Sequence, residues 1–217
     1  LDLGPFSTLL LSLLFGLLTA WIGKRMIDRV QLDPAADEEF KFASVEKTFA
    51  PMMIFTSCAM AFAHGSNDVA NGIGPMAAVA SLVKTGGEVA QEADLPLWIL
   101  LLGGAGIVFG LATMGYRVMR TIGSNITSLT PSRGYCATLA AASTVVLASK
   151  TGLPVSTTHI AVGAVVGVGF TSGMAAVDLQ VIRDIVTSWV ITLPAGAIMG
   201  MLFFFTLKGI FGISCPC

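Results

Sequence analysis

Long runs without a charged side chain alternate with short polar segments along the chain. Four of these runs, each 20 to 23 residues in length, cover residues 3–23, 48–67, 95–116 and 185–207. A helix needs about 20 predominantly apolar residues to cross the hydrocarbon core of a bilayer. The pattern therefore predicts four helices that span a membrane completely.

Three further apolar runs fit a complete crossing less well. Residues 69–83 and 134–149 are short for a span, and residues 151–177 are interrupted by Pro154 and five glycines. Short or Gly/Pro-interrupted segments at membrane depth are typical of discontinuous and re-entrant helices, which pack against protein or a watery cavity. We therefore expect two irregular elements here.

The first predicted irregular element is a broken helix over residues 48–83. The second is a re-entrant helical hairpin over residues 134–170, with its tip near residues 150–154. In a re-entrant hairpin Lys150 lies in a polar cavity or extends toward the interface. Two full spans in place of the hairpin would leave the rest of the chain on the same sides of the membrane, with Lys150 outside.

The composition agrees with a chain built for a membrane. Hydrophobic residues make up 54% of the sequence and charged residues 12%, about half the share usual in soluble domains. The mean hydropathy is +0.83. We predict one all-α, polytopic transmembrane domain over residues 1–217, in the cell membrane with the lipid bilayer as its surroundings. The net charge of −1 gives no indication of nucleic-acid binding.

Basic residues predict the orientation. Residues 24–47 hold five of the twelve Lys and Arg residues and form the predicted cytoplasmic loop. Placing this loop and the later basic segments in the cytoplasm puts the start of the chain outside. The loop is also the longest soluble stretch, and it is too small to be an enzyme domain. We therefore expect no enzymatic activity.

The first candidate site is the motif H-G-S-N-D-V-A-N-G-I-G-P at residues 64–75. Asp68 is an isolated carboxylate in an apolar run, and such a group costs a few kcal/mol in a bilayer unless something compensates it. Asn67 and Asn71 share one helix face with it. Two amide oxygens and a carboxylate suit a small hard cation, whereas a polar network between helices is the alternative.

The second candidate site is the motif T-G-L-P-V-S-T-T-H at residues 151–159. Pro154 suits the first turn of a new helix, and Ser156 is a predicted helix N-cap. With Thr157 and Thr158 it places three hydroxyls at a helix N-terminus, where N–H donors and the helix dipole favour an anion. An ordinary capped helix start is the alternative.

Other polar residues near these motifs are given lesser roles. The spacing of Ser156 and His159 would allow a nucleophile and its base, but two threonines follow the serine where a nucleophile turn is needed. We expect His159 to be a hydrogen-bonding core histidine or a neighbour of the anion. His64 has no second ligand at metal spacing, and Arg133 is interpreted as a charge flanking the membrane on the cytoplasmic side.

Three motifs in residues 55–170 together resemble the inorganic phosphate transporter (PiT) family of secondary carriers: G-S-N-D-V-A-N-G-I-G-P, L-T-P-S-R-G-Y and G-L-P-V-S-T-T-H. The resemblance implies symport of phosphate with sodium or protons. It also implies a carrier of two inverted halves, each with one copy of the first and last motifs. This chain holds one copy of each, and it resembles the C-terminal half because its G-S-N-D is similar to the second-half version of the motif.

The resemblance implies specific roles for both sites. Phosphate would bind Ser156, Thr157 and Thr158. The cation, a sodium ion if the carrier is sodium-coupled, would bind Asn67, Asp68 and Asn71. No cofactor is implied beyond the transported ions, and the implied partner is the N-terminal half or a second copy. Three alternatives remain: a carrier of another oxyanion such as sulfate, a non-transporting receptor or assembly subunit, and an intramembrane hydrolase.

Overall fold

A computed structural model describes residues 4–30, 42–85 and 95–211. Within these residues the chain is helical and contains no β-strand, which confirms the all-α prediction. The α-helices in chain order are α1 Pro5–Ile27, α2 Ala43–Thr85, α3 Leu97–Arg120, α4 Pro131–Lys150, α5 Thr157–Phe170 and α6 Leu179–Phe211. A π-helical turn, Thr121–Asn125, extends α3, and a short 3-10 helix, Met174–Ala176, precedes α6.

Helix α2 is continuous, so the prediction of a broken helix over residues 48–83 is wrong. It runs for 43 residues with Pro51 and Pro75 inside it, and is about 65 Å long. Each glycine in the motif costs a helix only about 1 kcal/mol. A proline removes one hydrogen bond, which neighbouring helices and polar side chains can replace in a membrane protein. The glycines of the motif and the two prolines of α2 therefore did not suffice to end the helix.

Three of the four predicted spans correspond to helices that are long and apolar enough to cross a membrane. These are Phe6–Ile27, Leu97–Asn125 and Leu179–Ile210. The fourth, residues 48–67, lies within α2, where polar side chains around Asp68 lower the hydropathy. The predicted loop over residues 24–47 is shorter than expected, because α1 and α2 extend into it; residues 31–41 lie outside the described part.

Helices α4 and α5 form the predicted helical hairpin, joined by residues 151–156. Gly152 has a φ of 71°, which glycine adopts without steric cost. Its N–H donates to the carbonyl of Ser149 and that of Leu153 to Ala148, so α4 ends in a Schellman motif. Pro154 lies in the link before α5 and not in its first turn, which corrects the sequence-based placement.

The buried core lies between α2 and the hairpin. One cluster joins α2 to α4 through Met60, Ala63, Ala141, Ala142 and Val145. A second joins the hairpin to the segments around it through Ile126, Ala137, Val162, Val165 and Val177. Small alanines let helix backbones approach closely in a membrane. In contrast, the apolar side chains of α1 and α6 are largely exposed, as lipid-facing residues are.

Polar contacts fix the hairpin against α2 at its base and middle. At the base, the Ser132 N–H donates to Oε2 of Glu46 at 2.8 Å, and the Ser132 hydroxyl to Oε1 at 2.7 Å. Further along, the hydroxyls of Thr56 and Thr138 lie 2.6 Å apart. The N-cap residue of α4, Thr130, accepts no N–H of the helix with its side chain. Glu46 accepts one of these N–H groups in its place.

The ionisation of Glu46 reflects this environment. Burial by itself raises the pKa of the carboxyl, but hydrogen bonds from Ser132 and Thr130 and the charge of Arg133 outweigh it and lower the pKa below its ordinary value. These donors stabilise the charged form of the carboxylate. The base of the hairpin is therefore held by an ionised group that precedes the predicted span.

Candidate functional site

Helix α5 begins at the tip of the hairpin with the predicted N-cap. Ser156 has φ −85° and ψ 111°, and its Oγ accepts the backbone N–H of His159 at 3.3 Å. The first N–H groups of any α-helix lack partners within the helix. The tip therefore presents backbone donors beside the hydroxyls of Thr157 and Thr158, as the sequence pattern predicts.

Two amides of α2 bind the link that precedes α5. Nδ2 of Asn67 donates to the carbonyl oxygen of Val155 at 3.1 Å, and Nδ2 of Asn71 donates to the same oxygen at 3.2 Å. Asn67 is only 7% exposed, whereas Asn71 is exposed. Since both amide nitrogens face the hairpin tip, the two asparagines tie the second motif to the first.

The two motifs meet directly through Asp68 and Thr157. The hydroxyl of Thr157 donates to Oδ1 of Asp68 at 2.9 Å, across 89 positions of sequence. Thr157 is 2% exposed, and Asp68 is half-buried. A hydroxyl donating to a carboxylate forms a strong, charge-assisted hydrogen bond. The carboxylate of α2 is therefore joined to the first residue of α5.

His64 is a second partner of the carboxylate that the sequence analysis missed. Its Nε2 lies 2.7 Å from Oδ2 of Asp68, and both side chains remain partly exposed. The i,i+4 spacing of His64 and Asp68 was the available signal, since residues four apart are neighbours on a helix surface. Both oxygens of Asp68 consequently have a partner, one from α2 itself and one from the hairpin.

Pro75 gives the first motif an oxygen that the helix would otherwise use. The carbonyl of Asn71 would normally accept the N–H of residue 75, but proline has none. A carbonyl that lacks its helical donor is a possible ligand for a cation. The first motif thus includes a backbone carbonyl whose usual helical donor is missing, although α2 is not unwound.

A cleft of about 380 Å³ opens where the two motifs meet. Both motifs contribute to its lining, which consists of Asp68, Asn71, Pro154, Val155, Ser156, Thr157 and Thr158. Ser156 and Thr158 are exposed there, unlike the buried Thr157. A single cleft therefore combines carboxylate and amide groups with hydroxyl donors at a helix N-terminus.

His159 and Arg133 are not among the residues that line the cleft. The His159 side chain is exposed, and its ring lies 3.8 Å from that of Trp189 in α6, so the expectation of a core histidine is wrong. The hydroxyl of Ser156 bonds the backbone of His159 and not its imidazole. Arg133 donates to the Ser128 carbonyl at 3.3 Å, at the base of the hairpin.

Comparison with known proteins gives a consistent picture. The sequence pattern of the phosphate transporter family matches residues 6–200. "Putative phosphate permease" of Haemophilus influenzae is 57% identical over 170 residues, which are 78% of this chain and 40% of that protein. "Inorganic phosphate transporter 2-1, chloroplastic" of Arabidopsis thaliana is 49% identical over 156 residues, 71% of this chain and 27% of that one.

One solved structure is also similar. It is titled "The sodium-dependent phosphate transporter", and it superposes with a TM-score of 0.79 at 39% sequence identity. The match covers 96% of this chain and 51% of the solved one. This chain therefore spans about half the length, or less, of the relatives described here.

The family match extends over nearly all of the described helices and includes both motifs that line the cleft. Three apolar helices of the chain are long enough to cross a bilayer. The chain is a multi-pass membrane protein that belongs to the phosphate transporter family.

Proposed function

We propose that this chain is part of a symporter that moves inorganic phosphate together with a cation. The hydrogen bond between Thr157 and Asp68 is the observation that carries the proposal. It brings a candidate anion site and a candidate cation site to one cleft, as coupled transport of two ions requires. Neither motif alone would distinguish a carrier from a packed helix pair.

Phosphate is the anion that we propose for the tip of the hairpin. The unpaired N–H groups and the positive dipole end of α5 attract a negative charge, and the exposed hydroxyls of Ser156 and Thr158 add donors. We assign Thr157 to the same site. Hydroxyls and N–H groups alone discriminate phosphate from sulfate poorly. The choice of phosphate is therefore supported by the family to which the chain belongs.

Sodium is the cation that we propose for the α2 side of the cleft. Asp68, with the amide oxygens of Asn67 and Asn71 and the Asn71 backbone carbonyl, supplies hard oxygen ligands. The solved relative is titled as a sodium-dependent transporter, which supports sodium over a proton. In this proposal both ions are cargo.

Electrostatics would couple the two ions. A carboxylate about 5 Å from phosphate raises the free energy of its binding by about 3 kcal/mol per unit charge at an effective dielectric constant near 20. A cation at Asp68 cancels that repulsion, so each ion favours the binding of the other, as linkage requires. Sodium would therefore increase the apparent affinity for phosphate.

We further propose that a second half completes the site. The chain covers 51% of the solved relative, and the cleft between the two motifs is open. Sites in carriers of this build lie between repeats. The second half would be the N-terminal half of the carrier or another copy of this chain.

The experiment that tests the proposal replaces Asp68 with asparagine. In proteoliposomes that hold the carrier with both halves, Asp68→Asn should reduce sodium-stimulated phosphate uptake at least about tenfold, because one charge-assisted ligand contributes more than 1.4 kcal/mol. Asp184→Asn, at an exposed carboxylate of α6, is the matched control and should leave uptake unchanged. Unaltered sodium dependence in Asp68→Asn would rule out this role, and uptake driven equally well by a proton gradient without sodium would identify the other coupling ion.

A further inference from the structure

Thr157 differs from the two hydroxyl residues beside it. Its side chain is 2% exposed and donates its hydroxyl hydrogen to Oδ1 of Asp68, whereas Ser156 and Thr158 are exposed at the cleft. A hydroxyl has one hydrogen to donate. While Thr157 is bonded to Asp68, it therefore cannot donate to an anion in the same cleft.

We infer that Thr157 is a switch between the two ions of the proposed symport. Without a cation, its hydroxyl is held by Asp68; when a cation occupies the carboxylate, the hydroxyl is released and donates to phosphate. This inference rests on the proposed function, and it assigns Thr157 a conditional role where Ser156 and Thr158 bind phosphate unconditionally. Sodium then adds a hydrogen-bond donor to the anion site in addition to cancelling charge.

The chemistry of the contact supports this exchange. A cation on Oδ1 competes for the same lone pairs that accept the hydroxyl, and it lowers the negative charge that makes the bond strong. Threonine in a helix populates two χ1 rotamers, so its hydroxyl can change partner by a side-chain rotation with no movement of α5. Its place at the first residue of α5, within the lining of the cleft, puts that rotation beside the anion.

A purely structural contact makes a different prediction. If Thr157 only held the hairpin tip against α2, its removal would alter phosphate binding equally with and without sodium. In a switch, the removal matters only when sodium is present, because in its absence the hydroxyl is already engaged by Asp68. The ratio of the two phosphate affinities therefore separates the two roles.

The test measures phosphate binding by the purified native carrier, with its second half present, in sodium buffer and in choline buffer at one pH. Thr157→Val keeps the shape of the side chain and removes the donor. It should lower phosphate affinity at least about tenfold in sodium, the factor that a hydrogen bond to a charged group supplies, and change it less than about twofold in choline. Thr157→Ser should restore the native ratio.

Thr158→Val is the matched control, because Thr158 is exposed in the same cleft and has no bond to Asp68 among the described contacts. It should lower phosphate affinity by a similar factor in both buffers, so that the ratio stays native. An equal ratio in Thr157→Val and the native protein would overturn the switch. Absence of phosphate binding in the native protein itself would instead overturn the proposed function.

If Thr157→Val does not fold, Thr157→Cys replaces it. A thiol is a weak donor of nearly the same size. Thr157→Cys should show a reduced sodium effect while Thr157→Ser keeps the full one. A full sodium effect in the cysteine variant, with its thiol shown to be unmodified, would contradict the switch.

Discussion

At the scale of single residues, Asp68 connects both sides of the cleft. One carboxylate oxygen meets His64 of its own helix, and the other meets Thr157 of the hairpin. The cost of placing a carboxylate in an apolar run is thus reduced by two polar partners. Because these partners come from different elements, a substitution at Asp68 alters the contact between them as well as the local charge.

Gly169 shows how closely the base of the hairpin is packed. A Cβ at this position would lie 2.6 Å from Cγ2 of Val177 and 3.4 Å from Thr127. Gly169→Ala should therefore lower the free energy of unfolding by about 1–3 kcal/mol, because branched Val177 has few other rotamers. Thermal unfolding in detergent, followed by circular dichroism, measures the effect.

Gly167 is the matched control on the same helix, since a Cβ there meets nothing within 4 Å. Gly167→Ala should leave stability unchanged or raise it by up to about 1 kcal/mol, because alanine favours the helix. Equal midpoints for the two variants would show that the contact with Val177 carries no strain.

Local chemistry decided which site residues could be found from sequence. The N-cap at Ser156 and the shared face of Asn67, Asp68 and Asn71 follow from spacings within one helix. The partners of these groups do not, since the Thr157 to Asp68 bond joins distant positions. The position of His159 was likewise set by a ring in α6 that spacing cannot reveal.

At the scale of elements, the joint between α2 and α4 depends on an ionised Glu46. Its pKa lies below the ordinary value of 4.5 in the folded protein. A lowered carboxyl pKa gives stability that is fully present above about pH 4.5 and is lost as the pH falls through the folded-state value. The free energy of unfolding should therefore decrease in that acidic range.

Glu46→Gln tests this joint, because glutamine keeps the size of the side chain and loses its charge. The variant should be about 1 kcal/mol less stable at pH 7 and should show a weaker loss of stability as the pH falls below about 4.5. Asp184→Asn, at a side chain that is 66% exposed, should match the native protein. A native-like acid profile in Glu46→Gln would exclude Glu46 as the titrating group.

The two irregular elements were predicted with different success for one physical reason. The hairpin follows from a proline and glycine that end α4 locally through the Gly152 turn. The break in α2 was expected from the same residue types, but α4 packs along α2, with Thr138 beside Thr56, and the link before α5 accepts a hydrogen bond from Asn67 of the motif. Composition within a segment does not reveal whether another helix supports it.

At the scale of the whole molecule, the depth of the hairpin in the membrane is the main topological prediction. Helix α5 has 14 residues and is about 21 Å long, shorter than a hydrocarbon core of about 30 Å. In a background without other cysteines, Lys150→Cys should resist an impermeant thiol reagent applied outside intact cells. We expect its labelling to be at least about fivefold slower than that of the Gly4→Cys control at the predicted outer end.

Ser172→Cys, which follows α5, gives the cytoplasmic reference in inverted vesicles. Rapid labelling of Lys150→Cys from outside would favour two full spans over a re-entrant hairpin. If Gly4→Cys is also protected from the reagent applied outside, the predicted orientation is contradicted as well.

The unbroken length of α2 has a mechanical consequence. Glu46 and Asp68 lie about 33 Å apart along one continuous helix, and the hairpin is hydrogen-bonded to that helix near both points and between them. Helix α2 and the hairpin can thus rotate as one rigid body. A rotation of about 10° about the base moves the far end by about 6 Å. Such a swing would move both sides of the cleft together while leaving the hydrogen bonds between α2 and the hairpin unchanged.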